Sequence, residues 1–195
     1  MKKNLVTAVL MTIATTILLG IVYPLVITVV AAVLFPDKAS GQLIKREGKT
    51  IGSQIIGQAF IGRGYFHSRL SAAGSGYDAA NSGGTNLGPT NQKLIDRVRQ
   101  DATSLQAENS GESVPVDLVT TSASGLDPDI SPASAEYQVV RIARERGMSA
   151  DEVRRLVTKN TAGRQLGFLG EPRVNVLKLN LDLDEERPMQ ERVAR

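Results

Sequence analysis

The stretch LVTAVLMTIATTILLGIVYPLVITVVAAVLF, Leu5 to Phe35, holds no charged side chain, and after Pro36 the chain turns polar and rich in glycine. A membrane-spanning helix needs about 20 apolar residues rising 1.5 Å each, so this stretch has length to spare for tilt. A secretory signal shares the charged start, here Lys2 and Lys3, but its apolar part is about 7 to 15 residues long and ends at a small-residue cleavage site. This run is longer and ends at Phe35-Pro36-Asp37. A buried core helix seldom goes uncharged for so long at a chain start, so the stretch is expected to be a single membrane anchor. Pro24 lies inside it and predicts a kink, because proline removes one backbone hydrogen bond. Gly20, Thr12, Thr15, Thr16 and Thr28 offer small or hydroxyl surfaces that suit packing on another membrane helix. Lys2, Lys3 and the α-amino group favour a cytoplasmic N-terminus, whereas Lys38, Lys45, Arg46 and Lys49 push the other way.

Composition bounds what the anchor carries. The 195 residues hold 23 Lys and Arg against 20 Asp and Glu, a net charge of +3 without a long basic run, which is only a weak argument for a nucleic-acid partner. Cysteine is absent, which fits either side of a membrane. With no tryptophan, the core must rest on Val, Leu, Ile and Ala. About 150 residues beyond the anchor suffice for one domain. The expected architecture is α/β, with a mixed α+β arrangement as the alternative: an anchor over 1–35, a soluble domain over 36–183 and a charged tail over 184–195 that frays.

Within that domain, Ile51 to Phe60 reads as a short strand or two pieces of one, and Gly62 to Pro89 as an extended loop tied down by Tyr65-Phe66 and Tyr77. A loop of that length is usually functional or disordered. Pro89-Thr90-Asn91 starts a helix with Leu94, Ile95, Val98 and Leu105 on one face, and a polar spacer follows from Gln106 to Val114. Val116 to Thr121 reads as a buried strand. Ser131-Pro132 opens a helix that ends at Gly147, with Ala135, Val139, Ile142 and Ala143 inward. Ser149 and Glu152 make a capping box for a second helix carrying Val153, Leu156 and Val157. Leu177, Leu179, Leu181 and Leu183 alternate with polar residues and predict a half-buried strand.

Few chemistries fit these residues. His67 is the only histidine, and Ser122-Ala123-Ser124-Gly125 is not a nucleophile elbow. A zinc site would lack ligands. Asp127, Asp129 and Ser131 imitate a calcium loop, but Pro132 and Gln138 stand at its glycine and glutamate places. Ser82 to Asn91 precedes a helix and offers a candidate nucleotide loop through Ser82, Gly83, Gly84, Asn86 and Gly88, although it lacks a Walker ending. The Gly147-Met148-Ser149 turn between helices raises an alternative, a membrane-anchored helix-turn-helix DNA-binding protein. Asp151 and Glu152 at its second helix oppose phosphates. Polar residues set among turns are candidates for partner contacts: Asp78, Asn81, Asn86, Asn91, Asp127, Gln138, Arg164, Glu171 and Arg173. The competing account is that they satisfy local backbone groups.

A series of motifs runs in order along nearly the whole chain. They are Gly57-Gln58-x-Phe60, Tyr65-Phe66-His67-Ser68-Arg69, Ser82-Gly83-Gly84-x-Asn86-Leu87-Gly88-Pro89-Thr90-Asn91, Pro115-Val116-Asp117-Leu118-Val119, Ser122-x-Ser124-Gly125-Leu126-Asp127-Pro128, Tyr137-Gln138-Val139 and Gly170-Glu171-Pro172-Arg173-Val174-Asn175. With the anchor, they resemble the C subunit of the Kdp potassium-transporting ATPase. The chain departs from that family at Leu70, where proline is usual, at Thr85 for serine and at Asp129, where histidine is frequent.

The resemblance implies a non-catalytic accessory subunit of an ATP-driven potassium importer. A separate P-type ATPase subunit then performs the phosphoryl chemistry, a channel-like subunit carries the ion, and a small Kdp membrane subunit completes the set. The C subunit is implied to be a catalytic chaperone that raises the ATPase subunit's affinity for ATP, with no tightly bound cofactor and no nucleic acid. ATP would be met directly or through the ATPase subunit, and potassium is the transported ion. The implied location is the cell inner membrane, single-pass, with the N-terminus cytoplasmic and the soluble domain periplasmic. The chain holds neither an Asp-Lys-Thr-Gly-Thr sequence nor a Walker loop. Since ATP is cytoplasmic, a periplasmic domain would have to act on its binding indirectly, by favouring one state of the pump.

Overall fold

The computed structural model describes residues 2–109 and 112–189. The chain divides after Ile51 into two units. In the first, one helix runs over Lys2–Leu34, long and apolar enough to cross a membrane, and none of its apolar window is buried against protein. It consists of α1 (Lys2–Ile17), a π turn (Leu18–Val22) and α2 (Tyr23–Leu34). The π turn answers the proline. The Tyr23 amide reaches back five residues to the Leu18 carbonyl, and the extra residue in the turn takes up the space that the Pro24 ring would otherwise contest. A short α3 (Pro36–Ala39) follows, then a hairpin of β1 (Leu43–Arg46) and β2 (Lys49–Ser53).

The second unit contains a 3-10 turn (Ala79–Asn81), α4 (Gln92–Glu108), α5 (Val116–Val119), β3 (Asp129–Ile130), α6 (Pro132–Arg146), α7 (Ala150–Lys159), β4 (Thr161–Ala162), β5 (Arg173–Asn175) and α8 (Val176–Glu186). A small antiparallel sheet, β3-β5-β4, aligns Ile130 and Thr161 on either side of Val174. The fold is therefore mixed, with helices supplying most of the order. Its core joins Val139 and Ile142 of α6, Val153 and Leu156 of α7, Leu179 and Leu183 of α8, Val174 and Phe66. The α6–α7 hairpin forms where its caps place it. Ser131 accepts from the Ser134 amide, Gly147 turns the chain at φ +63°, and Ser149 and Glu152 cap each other.

Three expectations are corrected. Val176–Glu186 is a helix, not a strand: Asn175 caps it by accepting from the Lys178 amide at 3.1 Å, and Val176, Leu179, Asn180 and Leu183 are its buried stripe. The spacing i, i+3, i+4, i+7 coexists in this segment with the alternation of leucines, and packing selects the helical period. Val116–Val119 is likewise a helical turn, with one parallel bridge between Leu70 and Thr121 as its strand character. The strand expected over Ile51 to Phe60 ends at Ser53, where the Ile56 amide folds back onto the Ser53 carbonyl at 3.3 Å.

Asp184 to Glu186 continue α8, and of the expected spacer and tail, residues 110–111 and 190–195 lie outside the described residues. The segment from Gly62 to Pro89 is irregular, as expected, and firmly held. Phe66 is fully buried, and its amide and carbonyl are both bonded to the Asn180 side chain, at 2.8 and 2.9 Å. The Tyr77 hydroxyl donates to the Arg69 carbonyl.

Candidate subunit-docking surface

An open groove of about 460 Å³ lies between α5, β3 and the segment after Gly170, with Arg69, Asp117, Asp127, Asp129, Glu171 and Arg173 in its wall. Asp127 anchors the near side. Its Oδ2 takes the Arg69 guanidinium at 3.1 Å, and its Oδ1 accepts the Asp129 amide at 3.1 Å. Its carbonyl accepts the Ser68 hydroxyl at 3.0 Å. Gly57 packs against that same carbonyl so closely that a Cβ there would stand 2.5 Å from it. Arg69 also reaches Thr120 Oγ1 at 3.3 Å and the Thr121 carbonyl at 3.2 Å, which fixes the guanidinium in place.

Two residues on from Asp127, Asp129 pairs with Arg173 at 3.1 Å and accepts from Asn175 at 3.0 Å. Burial raises the Asp129 carboxyl above its ordinary range, and Asn175 and Arg173 only partly offset it. At Asp117, burial pushes in the same direction but is outweighed. The Ser131 amide at 2.8 Å and the Ser134 and Ser131 hydroxyls hold this carboxyl below its usual range. Because those bonds join α5 to the first turn of α6, Asp117 is the pin that sets the groove floor.

Beside the groove, Arg164 and Glu171 make a two-pronged pair at 2.9 and 2.7 Å across the neck of a hairpin. Gln165 and Leu169 exchange backbone bonds at 2.8 and 2.9 Å, and the chain turns through Leu166 and Gly167, both at positive φ. This tight turn aims apolar side chains outward: Leu166 is 82% exposed and Phe168 68%. Val116, which also lines the groove, is 71% exposed.

Asp127, Glu171 and Arg173 therefore line one groove, and Arg164 joins through Glu171. Gln138 does not reach a surface: it is 3% exposed, and its amide bridges the His67 amide and carbonyl at 2.8 and 3.1 Å. Asp78 and Asn91 serve local backbone, Asp78 accepting from Ala80 and Asn81 and Asn91 capping α4. Asn81 is bonded to Asp78, whereas Asn86 is exposed at φ +54°. In the candidate nucleotide loop, the Gly83 amide and the Ser82 hydroxyl both donate to the Ser124 carbonyl, at 2.9 and 3.0 Å, and Gly84 lies against Ala123. Gly88 is open. Two of the donors that would cradle a phosphate are thus engaged internally. The exposed Leu166, Phe168 and Val116 escaped the sequence reading, though Leu-Gly-Phe-Leu-Gly between charged residues is its own signal, being apolar but too short and glycine-broken for a core element.

His67 sits in the wall of a second cavity, about 210 Å³, beside Leu105, Glu108, Tyr137 and Arg141. Its Nε2 lies 3.1 Å from the Gly62 carbonyl, and burial followed by the nearby Arg141 charge pushes its pKa down. Among the described residues no group of three His, Cys, Asp or Glu could hold a metal ion. The α6–α7 hairpin buries Val153, Leu156 and Val157 in the core and places Asp151 and Glu152 at the start of α7.

The sequence comparisons agree with this arrangement of motifs. The family described as KdpC, K+-transporting ATPase, c chain, matches residues 5–185. A potassium-transporting ATPase KdpC subunit of Koribacter versatilis (strain Ellin345) is 68% identical over 189 residues, covering 97% of this chain and 98% of its own. The corresponding subunit of Acidobacterium capsulatum is 57% identical over 183 residues, with 94% and 98% covered. On a match that spans the membrane helix, the groove and the hairpin alike, the chain belongs to the KdpC family, the c chain of the K+-transporting ATPase.

Proposed function

We propose that this chain is a non-catalytic accessory subunit that docks through the groove and the Arg164–Glu171 hairpin onto the P-type ATPase and channel-like subunits of a potassium importer. The carrying observation is the hairpin itself, whose neck is closed by the Gln165–Leu169 backbone bonds and an exposed ion pair while its tip holds Leu166 and Phe168 out in solvent. A preformed apolar tip beside charges that are already paired suits a stable protein contact, because little order is lost and no bare charge is buried on docking. The small Kdp membrane subunit would complete the assembly. The anchor spans the inner membrane with the N-terminus in the cytoplasm and the domain in the periplasm, and docking favours the state of the ATPase subunit that binds ATP. The internal bonding of Ser82 and Gly83 supports this indirect route over direct ATP contact.

The test compares complexes carrying the wild-type chain and a Leu166→Ser/Phe168→Ser variant. The variant is expected to lower recovery of the ATPase subunit at least fivefold and to weaken ATP binding by what remains. Unchanged recovery and unchanged ATP affinity would refute the docking surface. Equal ATP affinity of the pump with and without this chain would refute the chaperone role.

A further inference from the structure

The longest helix of the chain carries a break in its own hydrogen bonding. The α-helical donor to the Leu19 carbonyl would be the Tyr23 amide, but that amide donates to the Leu18 carbonyl across the π turn. The π-helical donor would come from residue 24, which is proline and has no N–H. Leu19 is thus left with an acceptor that its own helix does not fill, next to Gly20, the central residue of the apolar run Leu5 to Phe35. In hydrocarbon no water replaces the donor, and a bare carbonyl is costly there.

The threonines supply an independent observation at the same depth. The hydroxyls of Thr12, Thr15 and Thr28 donate back along the helix to Ala8, Met11 and Pro24 at 2.9, 2.8 and 2.8 Å. Among the described residues of this helix, Thr16 is the one threonine whose hydroxyl makes no such bond. Gly20 shares its face, since a Cβ at Gly20 would lie 3.9 Å from Thr16 Cγ2. Without a side chain at Gly20, a neighbouring helix can approach the Leu19–Gly20 peptide closely.

We propose that Thr16, Gly20 and the Leu19 carbonyl form a polar docking notch for a membrane helix of a neighbouring subunit, one bearing a carboxamide or hydroxyl side chain. Such a group donates to the Leu19 carbonyl and accepts from the Thr16 hydroxyl. A purely apolar helix would leave both groups bare, and a carboxylate would bring a charge to the depth where it is most costly. The inference rests on the accessory-subunit reading only in taking the partner from the same complex.

To test it, the full chain is expressed with the other subunits and a photoreactive residue is placed at Ile13 or at Leu18, then irradiated in native membranes. Ile13 shares the face of Thr16 and Gly20 by the i, i+3, i+7 spacing, and Leu18 stands opposite. Ile13 is expected to crosslink another subunit at least fivefold more than Leu18. Thr16→Val, of similar shape and more apolar, is expected to cut that yield at least threefold with unchanged membrane insertion. Equal yields from both positions, a yield indifferent to Thr16→Val, or capture of a second copy of this chain would each overturn the notch. A tagged wild-type chain that co-purifies with no other subunit would overturn the accessory-subunit reading instead.

Discussion

At the residue scale, single polar groups decide how the groove is built. Asp117 joins α5 to the start of α6 as a carboxylate held below its ordinary pKa. A carboxyl depressed in the fold contributes stability above its unfolded pKa of about 3.9 and loses it as pH falls through the folded value. Asp117→Asn is therefore expected to cost about 1 to 2 kcal/mol near pH 7, and the gap to wild type should close in acid, as read from urea midpoints across pH. His67 has the same sign, for its pKa is lowered by burial and by Arg141. Its contribution is intact above the unfolded pKa of about 6.5 and declines as pH falls through the folded value. His67→Gln should remove that part of the acid sensitivity. Gly57→Ala would press a Cβ to within 2.5 Å of the Asp127 carbonyl and is expected to destabilise by about 1 to 3 kcal/mol. Asp127, Glu171 and Arg173, expected at a partner surface because they are polar residues at turns, line one groove. Gln138, expected beside them, is buried and bonded to His67, 71 residues away, and no local pattern announces such a bond.

At the element scale, legibility follows the locality of the signal. The starts and ends of α6 and α7 were readable because Ser131-Pro132, Gly147 and the Ser149–Glu152 box act within one turn of the backbone they cap. Ser149→Ala is accordingly expected to cost about 1 kcal/mol, measured by thermal unfolding. Helix α8 was not readable, since four alternating leucines satisfy a strand period and the choice is made by Asn180, whose partner Phe66 lies 114 residues upstream. Strands β3, β4 and β5, of two or three residues each, are too short to show any period. The hairpin from Arg164 to Glu171 combines both cases, since its glycines mark a turn while its outward leucine and phenylalanine run against the expectation that apolar residues go inside.

At the scale of the whole molecule, the helix over Lys2–Leu34 was the most legible part, since length and scarcity of charge mark it as long and apolar enough to cross a membrane. A chain lacking residues 1–35 is expected to move to the soluble fraction and to lose at least tenfold in recovery with the other subunits, by quantitative co-purification. The grip of Asn180 and Gln138 on the Phe66-His67 backbone bears on how the domain assembles in time. Each carboxamide takes both the N–H and the C=O of one residue, as a neighbouring strand would, yet both stand on helices far along the chain. Closing loops that long is entropically slow, so the Phe66-His67 backbone must wait for α6 and α8 before these bonds can form. During refolding, helical signal should recover first, while a protease added in short pulses continues to cut between Gly62 and Pro89 until these two side chains close on their backbone.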